Sequence, residues 1–244
     1  MTSEVLQNSA DVNSEGFKKG FKVMAVAFFD LDKTICSVPT EQQITKQMWK
    51  AGKIGIRTVL RVLWGFIQYN FHLVTDYAHL KKKLVNATMK DMNVRDFSEQ
   101  FDYLYDNELK SKIFPEVILQ IEEHKRNNHK VVIVSTAIDQ IVSKFARELG
   151  ADYHYSTKLE VDNFCFTGNV IGDVYHGETK KQAVLQYCEK HNIDPKACYA
   201  YGDYFEDRKM LEAVGNPVAI NPDKRLLKVA LSRKWKVIDA VIAA

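Results

Sequence analysis

Asp30 and Asp32 stand two residues apart in Phe29-Asp30-Leu31-Asp32-Lys33-Thr34, at the end of a continuous apolar run over residues 23–29. In an extended chain, residues two apart point to the same side. Two carboxylates would then converge where the run ends, which is unfavourable unless a cation or a shared proton relieves it. A Mg²⁺ ion, bound through hard oxygen ligands, would do so. A polar turn after a strand is the plain alternative. A calcium loop is another, since Glu41 falls at its twelfth position. Against it, Ile35 holds the sixth position, where the sharp turn needs Gly, and a strand-like run rather than a helix precedes the motif.

Three further segments carry compatible chemistry. Ser135 and Thr136 directly follow the apolar run 131–134. A hydroxyl there can donate to a phosphate oxygen beside free backbone N–H groups, although Ser and Thr also start turns and cap helices. Gly177-Glu178-Thr179-Lys180-Lys181 opens a helical pattern, and a lysine at that place could neutralise a phosphate. Tyr201-Gly202-Asp203-Tyr204-Phe205-Glu206-Asp207 follows another apolar run. Asp207 lies one turn beyond Asp203 if a helix begins there.

The elements that must hold these groups alternate. Apolar runs at 23–29, 131–134, 198–201 and 217–220, with a short one at 237–238, read as strands covered on both faces. Helical patterns at 115–126, 138–149, 179–191 and 205–214 separate most of them, with Gly150 placed as a C-terminal cap. This order predicts an α/β fold, a doubly wound parallel sheet. Residues 157–170 read as a hairpin with arms 159–161 and 164–167, a turn at Asp162-Asn163, and Gly168 closing it. Residues 40–112 are helical in period and interrupt the chain as an inserted cap. Asp30, Ser135 and Asp203 each end a different candidate strand. In open α/β sheets, ligands bind outside the carboxyl ends of the strands. All three therefore face one crevice, whose carboxylates, hydroxyl and lysine suit a metal-bound phosphate.

Composition agrees with a folded enzyme. Of 244 residues, 46% are hydrophobic and 27% charged, which excludes a disordered chain or a fibrous repeat. The 34 basic and 31 acidic residues leave a charge of +3, less than a protein that coats nucleic acid usually carries, so no nucleic-acid partner is expected. Cys36, Cys165, Cys188 and Cys198 are scattered, with no C-x-x-C. Without a secretory signal this points to a reducing, cytoplasmic setting. Residues 1–20 read as a polar, flexible tail.

The order D-x-D-x-T, then Ser/Thr after a strand, then Lys, then G-D-x-x-x-D resembles the haloacid dehalogenase (HAD) superfamily of phosphohydrolases. The helical insert is similar to that of its subclass IB, the branch containing phosphoserine phosphatase. The resemblance implies a Rossmann-like HAD core over 21–39 and 113–244, a cap over 40–112, and Mg²⁺ as cofactor. It implies that Asp30 is the nucleophile, forming an aspartyl-phosphate with a phosphate monoester. Asp32 would be the general acid and base, and its backbone carbonyl a metal ligand. Asp30, Asp203 and Asp207 would complete the metal site, with Ser135, Thr136 and Lys180 on the phosphate. Lys180 is preferred to Lys181 by its distance from Gly202. Departures concern the substrate. Pro39 stands where phosphoserine phosphatases carry Glu, with Glu41 two residues late. Thr136-Ala137 replaces Gly-Gly, and Glu206 replaces Asn. These turn the expectation from phosphoserine alone toward other small or lipid-derived esters.

Residues 40–90 hold nine Lys or Arg against Glu41 and Asp76, a balance of +7. Lys50, Lys53, Arg57 and Arg61 recur at spacings that form one stripe on a helix, and Ile56, Leu60, Leu63 and Ile67 form an apolar one beside Trp64. Phe66, Tyr69 and Phe71 add aromatic bulk. One reading buries the apolar stripe in the protein and leaves a solvated basic face. The other is a peripheral contact with an anionic membrane or a phospholipid-like substrate. A third, non-catalytic reading makes the chain a regulator that docks through the cap. Lys81-Lys82-Lys83 reads as a solvated face, and Cys36 as packing.

Overall fold

The computed structural model describes residues 25–70 and 76–242. The tail expected over residues 1–20 lies outside them, as do the side chains of Phe66, Tyr69 and Phe71. Seven strands form one sheet: β1 (Val26–Phe29), β2 (Lys130–Ile138), β3 (Tyr153–Asp162), β4 (Cys165–Ile171), β5 (Tyr199–Gly202), β6 (Asn216–Ile220) and β7 (Lys236–Ile238). Their order is β4-β3-β2-β1-β5-β6-β7, and every pair is parallel except β3 with β4. The chain winds outward from β1 in both directions. The strand order therefore reverses at the β1–β5 junction, where a crevice opens at the carboxyl ends.

Period-two alternation divides the core. Val26, Phe28, Val132, Val134 and Ala200 face one layer, with α7 (Glu178–Lys190), α8 (Arg208–Leu211) and α9 (Lys224–Ser232). Ala27, Phe29, Val131, Ile133 and Tyr201 face the other, with α5 (Pro115–Arg126) and α6 (Asp139–Leu149). Pro115 at the first turn starts α5, and Gly150 ends α6 in the left-handed conformation at φ 59°. Both ends follow local chemistry, and both lie where the sequence places them. Two helical readings shift. Residues 205–214 shorten to a 3₁₀ turn and α8, because the chain must return at once to β6. β2 runs through residue 138 with an irregularity after Val134, so α6 begins one residue later than the pattern indicates.

Four helices, α1 (Thr40–Lys50), α2 (Ile56–Asn70), α3 (Tyr77–Met89) and α4 (Val94–Leu104), follow β1. α1, α3 and α4 share the apolar layer of α5 and α6: Phe101 and Tyr105 pack on Phe145, and Phe97 meets Phe166 edge-on at 6.0 Å. The stripe of Lys50, Lys53, Arg57 and Arg61 does not lie on one helix. Lys50 ends α1, and Lys53 sits in the connecting turn, 2.8 Å from Asp96. Only Arg57 and Arg61 belong to α2.

The hairpin turn lies one residue later than Asp162-Asn163. Asp162 pairs with Cys165, and Asn163 and Phe164 form the two-residue loop, both at positive φ. Gly168 lies inside β4 instead of closing it. Its role is close packing: at φ +86° a Cβ would fall 2.9 Å from Asn86 Nδ2 and 3.0 Å from Lys90 Cβ. Backbone bonds Asp91 N–H to Phe166 O and Phe166 N–H to Met92 O tie the same hairpin to the α3–α4 connection. Gly168→Ala is therefore expected to lower stability by about 2 kcal/mol, measured as a urea midpoint shift. A neutral effect would mean that α3 stands off without cost.

His124 of α5 is buried and shares a 2.7 Å hydrogen bond with the Tyr201 hydroxyl and one of 2.9 Å with His129. Burial, then His129 and Lys236, holds its pKa near 4. The unfolded imidazole takes its proton near 6.5. His124's share of stability is therefore complete above about pH 6.5 and is lost as pH falls toward 4, by about 2 kcal/mol. In an imidazole NMR titration its resonance should stay still down to pH 5; titration near 6.5 would contradict this.

Candidate active site

Asp30 follows β1 immediately, and its N–H still donates to Tyr201 O of β5 at 3.0 Å, so the ladder places it at the strand-order reversal. Asp203 follows β5. Asp207 lies in the 3₁₀ turn after it, held by the Tyr204 N–H to its Oδ2 at 3.1 Å. Carboxylate oxygens of Asp30, Asp203 and Asp207 all lie within 4.8 Å of one another, and all three residues are buried. Thr34 Oγ1 donates to Asp203 Oδ1 at 3.0 Å. Thr34 reaches this position because the chain turns sharply after Asp32, with Ile35 and Cys36 N–H both bonded to Leu31 O.

Lys180 enters from the first turn of α7. Its Nζ lies 2.6 Å from Asp30 Oδ1 and 2.6 Å from Asp207 Oδ1. Burial works against the ammonium, but Asp207 and Asp30 outweigh it and raise its pKa above that of an ordinary lysine. Lys181 instead faces solvent, 3.3 Å from Glu178. Burial pushes Asp30 up to about 7 against the pull of Lys180. Asp203 is raised by burial and then by Asp207 and Asp30.

Asp32 lines the same cavity, but its carboxylate stands apart from the three-carboxylate cluster and accepts the Thr40 N–H at 2.8 Å. The two carboxylates of the first motif therefore do not form the cluster; Asp30 meets Asp203 and Asp207 instead. Burial, opposed by the Thr40 bonds, lifts Asp32 to about 6. Thr136 lines the cavity and hydrogen-bonds the Tyr77 phenol. Ser135 is buried beside it, its Oγ accepting the Ala137 N–H at 3.1 Å, which leaves its own proton to donate. Cys36 is packed in the core, its thiol pushed up to about 12 by burial.

Several cavity residues escaped the sequence reading. Lys81 is not part of a solvated face: it is 3% exposed, ion-paired with Glu41, and beside Tyr77. The signal was its place four residues after Tyr77 and four before Val85, the inner face of α3. Glu41, which the calcium-loop alternative needs as a ligand, is thus engaged at the start of α1, and a strand precedes the motif. His176 stacks on Tyr77 at 4.2 Å, its pKa lowered to about 4 by burial and then by Lys180. Pro39, Gly65, Leu80 and Leu84 complete an apolar wall, and the cavity holds about 150 Å³. A larger cavity of 600 Å³, beside His124, Tyr199 and Trp235, contains none of the carboxylate cluster.

Residues 27–212 match the model of the haloacid dehalogenase-like hydrolases, and the chain belongs to that family. It is 34% identical over 215 residues to the "Inhibition of morphological differentiation protein" of Streptomyces azureus, covering 87% of this chain and 77% of that one. It is 31% identical over 222 residues to a "Probable phosphatase" of Mycobacterium tuberculosis, covering 89% and 76%. A solved phosphoserine phosphatase carrying a phospho-aspartyl intermediate analogue shares the fold, with a TM-score of 0.67 at 21% identity over 88% of this chain and 93% of that one.

Proposed function

We propose that this chain is a Mg²⁺-dependent phosphomonoesterase that works through an aspartyl-phosphate on Asp30. The observation that carries the reading is the buried cluster of Asp30, Asp203 and Asp207 around Lys180. Full ionisation of the three carboxylates against one ammonium would leave two negative charges, which burial opposes at Asp30 and Asp203 and which a divalent cation would offset. The donors are all hard oxygens, as Mg²⁺ requires. Asp30, Asp203, Asp207 and the Asp32 backbone carbonyl would hold the ion. When bound, it offsets charge on the phosphate and on the attacking carboxylate.

Lys180 holds Asp30 by Oδ1, and Oδ2 is the oxygen that attacks phosphorus. Ser135, Thr136 and Lys180 hold the phosphoryl oxygens. Asp32, lifted to about 6, is protonated in a larger fraction near neutral pH than an ordinary carboxylate, and this protonated form donates to the departing alkoxide. Its carboxylate then takes a proton from the water that attacks the aspartyl-phosphate, releasing phosphate and restoring Asp30. The cap closes over the cavity and excludes water during these steps. At about 150 Å³ the cavity is smaller than the ~300–1,000 Å³ of drug-sized sites, so it encloses a small ester or the phosphate end of a larger one.

Phosphate release from p-nitrophenyl phosphate, with and without Mg²⁺, tests the reading: release should need the metal. Metal-independent release, or none on any phosphate ester, would overturn it. A phosphoserine phosphatase is the second reading, favoured by Glu41 and Lys81 on the cavity wall. A zwitterionic ester could exchange their ion pair for one bond to each. Glu41→Gln with Lys81→Met should then raise KM for phosphoserine at least tenfold while sparing p-nitrophenyl phosphate; an equal effect on both would reject it.

A further inference from the structure

The helix α2 carries two faces of different kinds. At 3.6 residues per turn, Ile56, Leu60, Leu63, Trp64 and Ile67 fall within one arc of about 100°. Each of these side chains is 43–57% exposed. Val62 and Gly65 lie on the far side and are buried. Gly65 sits against Leu84 of α3, where a Cβ would come within 2.6 Å, and lines the active cavity. The inner face is thus already used, and the apolar arc is an additional surface. The reading that buries this stripe in the protein does not hold. Arg57 and Arg61 adjoin the arc at its edge, both exposed.

We propose that α2 docks the protein on an anionic phospholipid bilayer. The apolar arc enters the boundary between headgroups and acyl chains, and Arg57 and Arg61 meet lipid phosphates. Charge selects this occupant. α2 itself carries Arg57 and Arg61 and no acidic residue. A second copy docking on the same face would bring that charge against its equal, whereas an anionic bilayer attracts it. Among the described residues no helix is long and apolar enough to cross a membrane, so α2 lies on the surface. This surface is separate from the phosphatase chemistry and does not depend on it.

The test uses the full chain with sucrose-loaded vesicles of phosphatidylcholine, alone or with phosphatidylglycerol, at 0.15 M salt. The protein should sediment with the anionic vesicles and only weakly with the neutral ones. In a Trp49→Phe, Trp235→Phe background, Trp64 emission should shift to the blue on binding. Leu60→Asp with Leu63→Asp should lower partitioning at least tenfold, and Arg57→Glu with Arg61→Glu should lower it roughly tenfold and abolish the preference for anionic lipid. Both pairs are exposed and should leave p-nitrophenyl phosphate turnover unchanged. No sedimentation with either vesicle, or an unshifted Trp64, would overturn the proposal. So would a stable dimer in light scattering that Leu60→Asp dissociates, since a second copy would then cover the arc. Asp30→Asn should still bind vesicles. In the parent chain, turnover without vesicle binding rejects the docking alone, and vesicle binding without turnover rejects the phosphatase reading alone.

Discussion

Asp30→Asn should lower phosphate release by at least about 10⁴-fold, because an amide is no nucleophile toward phosphorus and nothing else in the cavity replaces it in kind. The fold should be unharmed, and the apo variant equal to or more stable than the parent. Its side chain has the shape of Asp but removes one of three carboxylate charges that lie within 4.8 Å of one another. Lys180 keeps its 2.6 Å contact with Asp207. Colorimetric phosphate release and thermal unfolding, run side by side, check both halves. A variant retaining even a few per cent of activity would remove Asp30 from the nucleophile's role. A variant that unfolds early would mean that Asp30 holds the strand end instead.

Lys180→Met should cost stability as well as turnover. Its ammonium is 4% exposed and lies between two carboxylates. Removing the cation leaves three buried acids uncompensated, and breaking such a pair costs about 3–5 kcal/mol. Added Mg²⁺ should recover much of that stability, because the ion binds where negative charge has grown, yet turnover should stay low without the lysine on the phosphate. Lys181→Met is the control. Its side chain is 41% exposed, and its i,i+3 pair with Glu178 is worth at most about 0.5 kcal/mol. Urea unfolding of both variants, with and without Mg²⁺, decides the matter. Equal stabilities would show that the two buried links contribute nothing.

The sequence was most legible where structure is set locally. The runs ending in Asp30 and near Asp203, the Pro115 start of α5 and the Gly150 end of α6 follow from strand burial, a fixed φ and a permitted left-handed φ. Because parallel strands present their carboxyl ends together, those runs also located the crevice before any contact was known. The hairpin slipped by one residue because Phe164, an aromatic residue at φ 65°, gives no turn signal. Long-range bonds between Phe166 and residues 91–92 hold its strand against α3 and α4.

By itself the sequence determined five of the parallel strands and the residue types that meet at the crevice. It missed the parallel pairing of Tyr153–Thr157 with β2 and ended β2 at Val134, whereas the strand continues through Ser135 to Ile138. Only tertiary structure decided how the crevice residues pair. It separated Asp32 from the other carboxylates, directed Lys180 inward and Lys181 outward, and buried Lys81 on Glu41. It also turned the apolar arc of α2 away from the core. Helical periodicity states which residues share a face but not which way the face looks. That direction depends on what packs across it, and those partners are distant in the chain.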